Sequence, residues 1–238
     1  MCDLVMSELQ LSRDALTGLE WTFQELTDNV LNHSEAPAGG VAQATVFPKN
    51  QEIHFIVADA GMGILNSLRE GFPALQTDGE AVGEAVKAGV TRNPEFGQGN
   101  GLAGSLSIAT ASHGRLQIVS GQAYFQVFVD GESDSVQERT ADRGIDAHYH
   151  GTVVYLRLDL SRPFSLVEAL NFGEGPHRPI DLVGTKYQTD DLNLSLHVAT
   201  ETVGFGSRES GRSLRNKCMN LLRAEPDAVL VLDWAGVP

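Results

Sequence analysis

Over residues 12–33 the apolar residues Leu16, Leu19, Phe23, Leu26 and Val30 recur at three- and four-residue intervals, a spacing that a helix gathers into one stripe. Ser12 stands just before the stripe as a capping residue. A helix of about six turns with one apolar side must bury that side under a second layer. The rest of the chain supplies candidates for that layer. Ile53-His-Phe-Ile-Val-Ala58 is β-branched and apolar and ends at a Gly-rich turn, the profile of a buried strand. Residues 116–120 and 124–129 flank Gly121-Gln122 as a hairpin, and residues 152–160 alternate as a third long strand. Shorter helices are predicted over 77–87, opened by Asp78 and closed by Gly89, and over 102–112. The expected fold class is an α/β sandwich, an antiparallel or mixed sheet covered by helices.

With 238 residues, the chain can form one large domain or two small ones. Its 42% hydrophobic and 20% charged content is ordinary for a globular protein, and no apolar run is long enough to span a bilayer as a helix. Two scattered cysteines, Cys2 and Cys218, exclude a disulfide framework or a cysteine zinc site. The N-terminus lacks the layout of a secretion signal. A reducing, cytoplasmic setting is the expectation. The formal net charge of −14 repels nucleic acid and anionic lipid, so neither is an expected partner. An anionic ligand would need a metal ion, backbone amides or a helix dipole to offset the field. The acidity is uneven: residues 1–160 carry 9 basic and 21 acidic side chains, residues 161–238 carry 8 and 10. Between the two compositions lies the Gly/Pro-rich run Asn171-Phe-Gly-Glu-Gly-Pro-His-Arg-Pro179, a linker or an ordered turn. Two units are expected, 1–165 and 166–238.

Three clusters carry chemistry. Glu25, Asn29 and His33 are four residues apart and share one helix face. Such a stripe is ordinarily solvated; as a site it offers a carboxylate base, an amide oxygen for a hard cation and an imidazole beside a phosphate. Asp59-Ala-Gly61-Met-Gly63 places a carboxylate at a strand end before two glycines that let backbone approach a ligand. An Asx-type turn is the competing reading. Gly97-Gln-Gly99-Asn-Gly101-Leu102 opens a helix whose free amides can hold an anion, or forms a flexible connection. It is neither a Walker loop nor a Rossmann fingerprint, since no Gly-Lys-Ser/Thr follows and no strand immediately precedes it.

Taken in order, with Gly151-Thr152 opening the last strand, these clusters resemble the boxes of the GHKL ATPase/kinase superfamily, which groups DNA gyrase, the heat-shock chaperone, sensor histidine kinases and MutL. The resemblance covers roughly residues 10–160. It implies a Bergerat-type α/β sandwich that binds ATP with Mg²⁺. Asn29 would ligate Mg²⁺, with His33 beside the phosphates. Asp59 would accept a hydrogen bond from the adenine amine, Gly61 and Gly63 would admit the base, and Thr152 would support the adenine contact. Gly97, Gly99, Gly101 and Leu102 would wrap the phosphates. Residues 64–96 would form a lid, with Arg92 either at the γ-phosphate or solvated. Glu25 would orient or deprotonate the attacking water or hydroxyl.

The spelling Glu-x₃-Asn-x₃-His and the absence of a dimerising phosphoacceptor helical pair look more like the anti-sigma-factor serine kinase branch than a sensor kinase. The run Phe205-Gly-Ser-Arg-Glu-Ser-Gly-Arg-Ser-Leu-Arg215, a helical stretch to Leu222 and the apolar strand 228–234 resemble a STAS-like domain. That pattern would continue with a turn and helix, so the unit is expected to be incomplete at its C-terminus. The resemblances imply a bacterial cytoplasmic regulatory ATPase or protein serine kinase, with a regulatory protein or STAS-type domain as partner and a homodimer left open. The alternative is a nucleotide-gated interaction module that transfers nothing. His148 and His150 have the spacing of two ligands on a strand face but lack a third. Ser207, Ser210 and Ser213 read as helix-start polar residues and Cys218 as core.

Overall fold

The computed structural model describes residues 1–90, 99–172, 179, 181–190, 192–201 and 207–237. The elements run α1 (Cys2–Glu8), α2 (Arg13–His33), β1 (Gly40–Phe47), β2 (Glu52–Asp59), α3 (Gly63–Arg69), α4 (Asp78–Ala85), α5 (Gly101–Ala111), β3 (Arg115–Gly121), β4 (Ala123–Val129), β5 (Val136–Asp142) and β6 (Tyr149–Asp159). They continue with α6 (Leu166–Ala169), α7 (Leu182–Lys186), β7 (Asn193–His197), α8 (Val198–Glu201), α9 (Arg208–Ala224) and β8 (Val229–Asp233).

Six strands form one sheet in the order β1-β2-β6-β3-β4-β5, and every neighbouring pair is antiparallel. Because β2 and β3 both flank β6, they run parallel to each other. The chain passes from β2 to β3 through α3, α4 and α5, and β6 later fills the slot between them. The fold is therefore α/β, with the helices gathered on one face of an antiparallel sheet.

Side-chain alternation decides which face the helices cover. Ile53, Phe55 and Val57 of β2, Leu116 and Ile118 of β3, and Leu156 and Leu158 of β6 point inward and are buried. Against them lies the stripe of α2: Leu16, Leu19, Phe23, Leu26 and Val30 are all buried, and the Phe23 and Phe55 rings meet with centroids 4.4 Å apart. Each such side chain contributes roughly 1.5–3 kcal/mol when fully buried, so this contact fixes α2 over the sheet. Ser12 caps α2 by accepting the Ala15 N–H at 3.2 Å, as its sequence position predicts. At α4 the cap is Thr77, in a capping box with Glu80, rather than Asp78. Asp78 instead accepts the Gln122 N–H at 2.9 Å and ties α4 to the β3–β4 turn.

Two strands of this sheet lie outside the periodic signals of the sequence. β1 and β5 are the sheet edges, and β5 is exposed at all seven positions. With no buried side, β5 shows no apolar alternation and forms because β4 offers it a ladder.

In residues 166–237, β7 and β8 form a parallel pair connected through α8 and α9. The core does not break at the expected boundary of 165. Val183, Leu194, Leu196, Val198 and Leu221 belong to the same cluster as Val5, Leu11 and Leu16. Helix α1 packs on α9, where fully buried Asn220 accepts the Leu11 N–H at 2.5 Å and donates to Met6 O at 3.0 Å and Leu9 O at 2.8 Å. Asn216 donates to Ser7 O at 2.8 Å. Arg13 at the start of α2 is paired with both Asp181 and Glu225. Among the described residues no helix is long and apolar enough to cross a membrane.

Candidate functional site

A cavity of about 400 Å³ opens between the C-terminal half of α2, the β2–α3 junction, β6 and the start of α5. Its two ends differ in chemistry. At the strand end Asp59, the last residue of β2, is 7% exposed and its Oδ1 accepts the Gly61 N–H at 2.8 Å. That bond is the Asx-type turn anticipated from the sequence. It occupies one carboxylate oxygen only; Oδ2 has no partner among the described residues. Thr152 of β6 lies directly across from Asp59 in the ladder, and both line the cavity together with Val57, Ile64, Leu68 and Val154. This end is an apolar slot with one hydrogen-bonding edge.

Strand β6 is drawn against β2 by Gly151. Its φ is +108°, and a Cβ there would fall 2.1 Å from the Asp59 carbonyl oxygen, so only glycine admits the approach. Ser120 then joins three elements. Its hydroxyl accepts the Ile64 N–H at 2.9 Å, donates to Gly151 O at 3.1 Å and lies 3.3 Å from the Thr152 hydroxyl. The sequence reading missed Ser120, because a single serine inside a strand carries no signal of a crossing contact.

At the helix end, Glu25, Asp28, Asn29, Asn32 and His33 of α2 face Gly99, Asn100, Gly101 and Leu102 at the start of α5. The side chain of Asn29 makes no hydrogen bond among the described residues, and neither does that of Glu25. Asn100 gives α5 no side-chain cap; its Oδ1 accepts the Gly89 N–H at 3.0 Å instead. Among the described residues the first amides of α5 thus have no side-chain cap beside the cavity, an arrangement that favours an anion.

Two glycines set how closely α5 meets α2. A Cβ on Gly101 would lie 2.5 Å from Glu25 Oε2, and one on Gly104 would lie 2.0 Å from the Trp21 ring. Three residues apart on α5, they face Trp21 and Glu25, four apart on α2. Burial raises the Glu25 pKa above the usual carboxylate value, and the neighbouring charge of Asp28 adds to the rise.

Of the residues singled out in the sequence, Glu25, Asn29, His33, Asp59, Gly63, Gly99, Gly101, Leu102 and Thr152 line this one cavity. Gly61 does not: a Cβ at 61 would sit 2.0 Å from Ser34 O, so its smallness admits the end of α2 rather than a ligand. Gly97 and Arg92 lie outside the described residues. The expected lid, 64–96, is in its first two-thirds two anchored helices. α4 buries Ala81 and Val82, and α3 is held by Ser120. Asp28 and Asn32 are cavity residues that the sequence reading did not select, although they stand on the same turns of α2 as Glu25 and Asn29.

The described lining holds three carboxylates, Glu25, Asp28 and Asp59, and no lysine or arginine. No group of three or more His, Cys, Asp or Glu side chains among the described residues is placed to hold a metal ion; His148 and His150 meet only each other, with ring centroids 4.7 Å apart. No protein-family model matches the chain, and no curated protein matches it.

Proposed function

We propose that this cavity binds an adenine nucleotide as its Mg²⁺ complex, and that the chain is a regulatory ATPase or protein serine kinase of the GHKL type acting in the cytoplasm. The observation that carries the reading is the two-ended cavity. Among the described residues, an apolar slot with a carboxylate oxygen that has no partner lies at one end, and Glu25 and Asn29, with no side-chain hydrogen bond, lie beside the start of α5 at the other. Asp59 Oδ2 would accept an exocyclic amine, while Val57, Leu68 and Val154 would enclose a flat ring. Asn29 would hold Mg²⁺ together with phosphate oxygens, and the ion supplies the positive charge that the described lining lacks. The amides of Gly101 and Leu102 would donate to phosphate. Glu25 would take the proton of an attacking hydroxyl, and its raised pKa brings its basicity nearer to neutrality, where a general base works best. The parallel βαβ unit from β7 to β8 supports a STAS-like reading of residues 166–238 as the regulatory partner of the site.

Calorimetry with Mg-ATP tests the base end. Asp59→Asn keeps the shape but sets a donor against a donor, which costs roughly 1–3 kcal/mol, about ten- to a hundredfold in affinity. Unchanged affinity would remove adenine from the slot. γ-Labelled ATP then separates the activities: label released as phosphate marks an ATPase, label on protein a kinase, and label retained in bound ATP a nucleotide-gated module.

A further inference from the structure

Among the described residues no other element covers the face of the sheet turned away from the helices, and that face holds an unusual pair. Arg115 of β3 and Arg157 of β6 stand directly opposite each other in the ladder, where like charges repel. The Nε of each is buried and has no hydrogen-bond partner. Arg115 has no acidic partner among the described residues; its guanidinium carbon lies 5.2 Å from the centre of the Phe128 ring. Arg157 is only partly engaged, 3.5 Å from Glu52 and 3.2 Å from His113 O. Glu52 is itself shared with His54 at 3.4 Å. Arg139 of β5 stands on the same face, opposite Gln126.

Three of the nine basic residues in 1–160 thus occupy one sheet face of a chain with net charge −14. Beside the arginines lies an uncharged polar ladder in which Gln117 donates to Tyr124 at 2.9 Å and to Gln126 at 2.8 Å. Glu52 and Asp159 share this face at its β2 end, so the uncompensated positive charge is centred on Arg115 and Arg139, beside aromatic and amide groups.

From this charge complementarity we infer that the open sheet face is a docking surface for an acidic segment of a partner protein, with a carboxylate of that segment bridging Arg115 and Arg157. Arginine suits the role because its planar fork presents paired N–H groups to one carboxylate and stacks on an aromatic ring, which a lysine does not. The net charge of −14 opposes an acidic peptide as it does a nucleic acid, so the guanidinium pair has to outweigh that field locally. The cavity lies on the opposite face of the sheet, so the inference stands apart from the nucleotide reading and fails separately from it.

A fluorescent deca-glutamate peptide, followed by anisotropy against the full chain at physiological salt, is the probe. We expect saturable binding that weakens with added salt and drops at least about tenfold in the Arg115→Gln/Arg157→Gln double variant, with each bridging contact charge-assisted. Arg212→Gln, which removes a surface charge paired with Glu8 elsewhere, should bind as the parent does. Should the double variant fail to fold, Arg115→Lys retains the charge and loses the fork, and it too should bind more weakly. Absence of binding to the parent, equal binding by parent and Arg115 variants, or tighter binding of a single-stranded decanucleotide than of deca-glutamate would each overturn the proposal.

Discussion

Substituting Gly101 by alanine separates what the α2–α5 contact does for the site from what it does for the fold. The new Cβ would lie 2.5 Å from Glu25 Oε2, about 1 Å inside an ordinary contact. The obstructed atom is the far end of a flexible side chain, so the carboxylate can swing aside at little cost. Meanwhile α5 exchanges a glycine for the best helix former, a gain of up to about 1 kcal/mol. Gly101→Ala is therefore expected to leave Tm unchanged or raise it by up to about 2–4 °C for a chain of this size. The displaced carboxyl should titrate lower than in the parent, because burial is the first cause of its raised pKa. On the proposed function, ATP turnover should fall by about 10²-fold, the usual consequence of moving a reacting group by about 1 Å. Gly104→Ala is the contrast, since its Cβ would meet the rigid Trp21 ring at 2.0 Å and overpacking of that kind costs about 1–3 kcal/mol. Thermal unfolding and ¹³C-detected titration of the Glu25 carboxyl provide the readouts. If Gly101→Ala destabilises as much as Gly104→Ala, or leaves the Glu25 titration where it was, the proposed geometry between Glu25 and α5 is wrong.

Glu25→Gln should stabilise the chain at neutral pH and not at acid pH. The folded state holds the Glu25 proton more tightly than the unfolded state does, so the parent is fully stable below the ordinary value of 4.5 and loses stability as pH rises through the raised pKa. Urea unfolding at the two pH values measures the difference, and a gain confined to acid pH would contradict the burial argument. On the proposed function, the same variant should bind Mg-ATP normally and lose turnover by about 10²–10⁴-fold. Gly61→Ala, whose Cβ would meet backbone at 2.0 Å, should cost about 1–3 kcal/mol or more with or without nucleotide, as read by chemical denaturation; tolerance would mean that the α2–β2 junction is loose. Asn220→Ala should cost about 3 kcal/mol or more, because three buried backbone groups lose their partner at about 1–3 kcal/mol each. Equilibrium unfolding measures it, and a loss near zero would show that water replaces the amide.

The elements legible in the sequence are those with one buried side. α2, β2, the β3–β4 hairpin and β6 each carry a period that burial imposes, and the structure has them within a few residues of expectation. β5 is exposed along its length, and α1 is a short helix whose partner is remote in sequence; neither has a local pattern to read. The site divides the same way. Glu25, Asn29 and Asp59 were found by residue type and spacing, and they meet at one cavity. The glycines were harder, because a motif shows that a Cβ is excluded but not by what. At Gly61 the excluding group is the Ser34 backbone, at Gly101 it is Glu25, and at Gly151 the Asp59 carbonyl.

The seam between α1 and α9 has a consequence for how the chain is made. The bonds from Asn216 to Ser7 and from Asn220 to Leu11 each span 209 residues. At a synthesis rate of about 5–20 residues per second, α1 leaves the ribosome roughly 10–40 s before the helix that satisfies it. During that interval Val5, Met6 and Leu9, all buried in the finished fold, lack the α9 side of their packing and keep only the contact of α1 with α2. The sheet and α2 can assemble meanwhile, since their contacts lie within residues 13–159. The packing of α1 is thus completed only once α9 has been made, on a body that the sheet and α2 can already form.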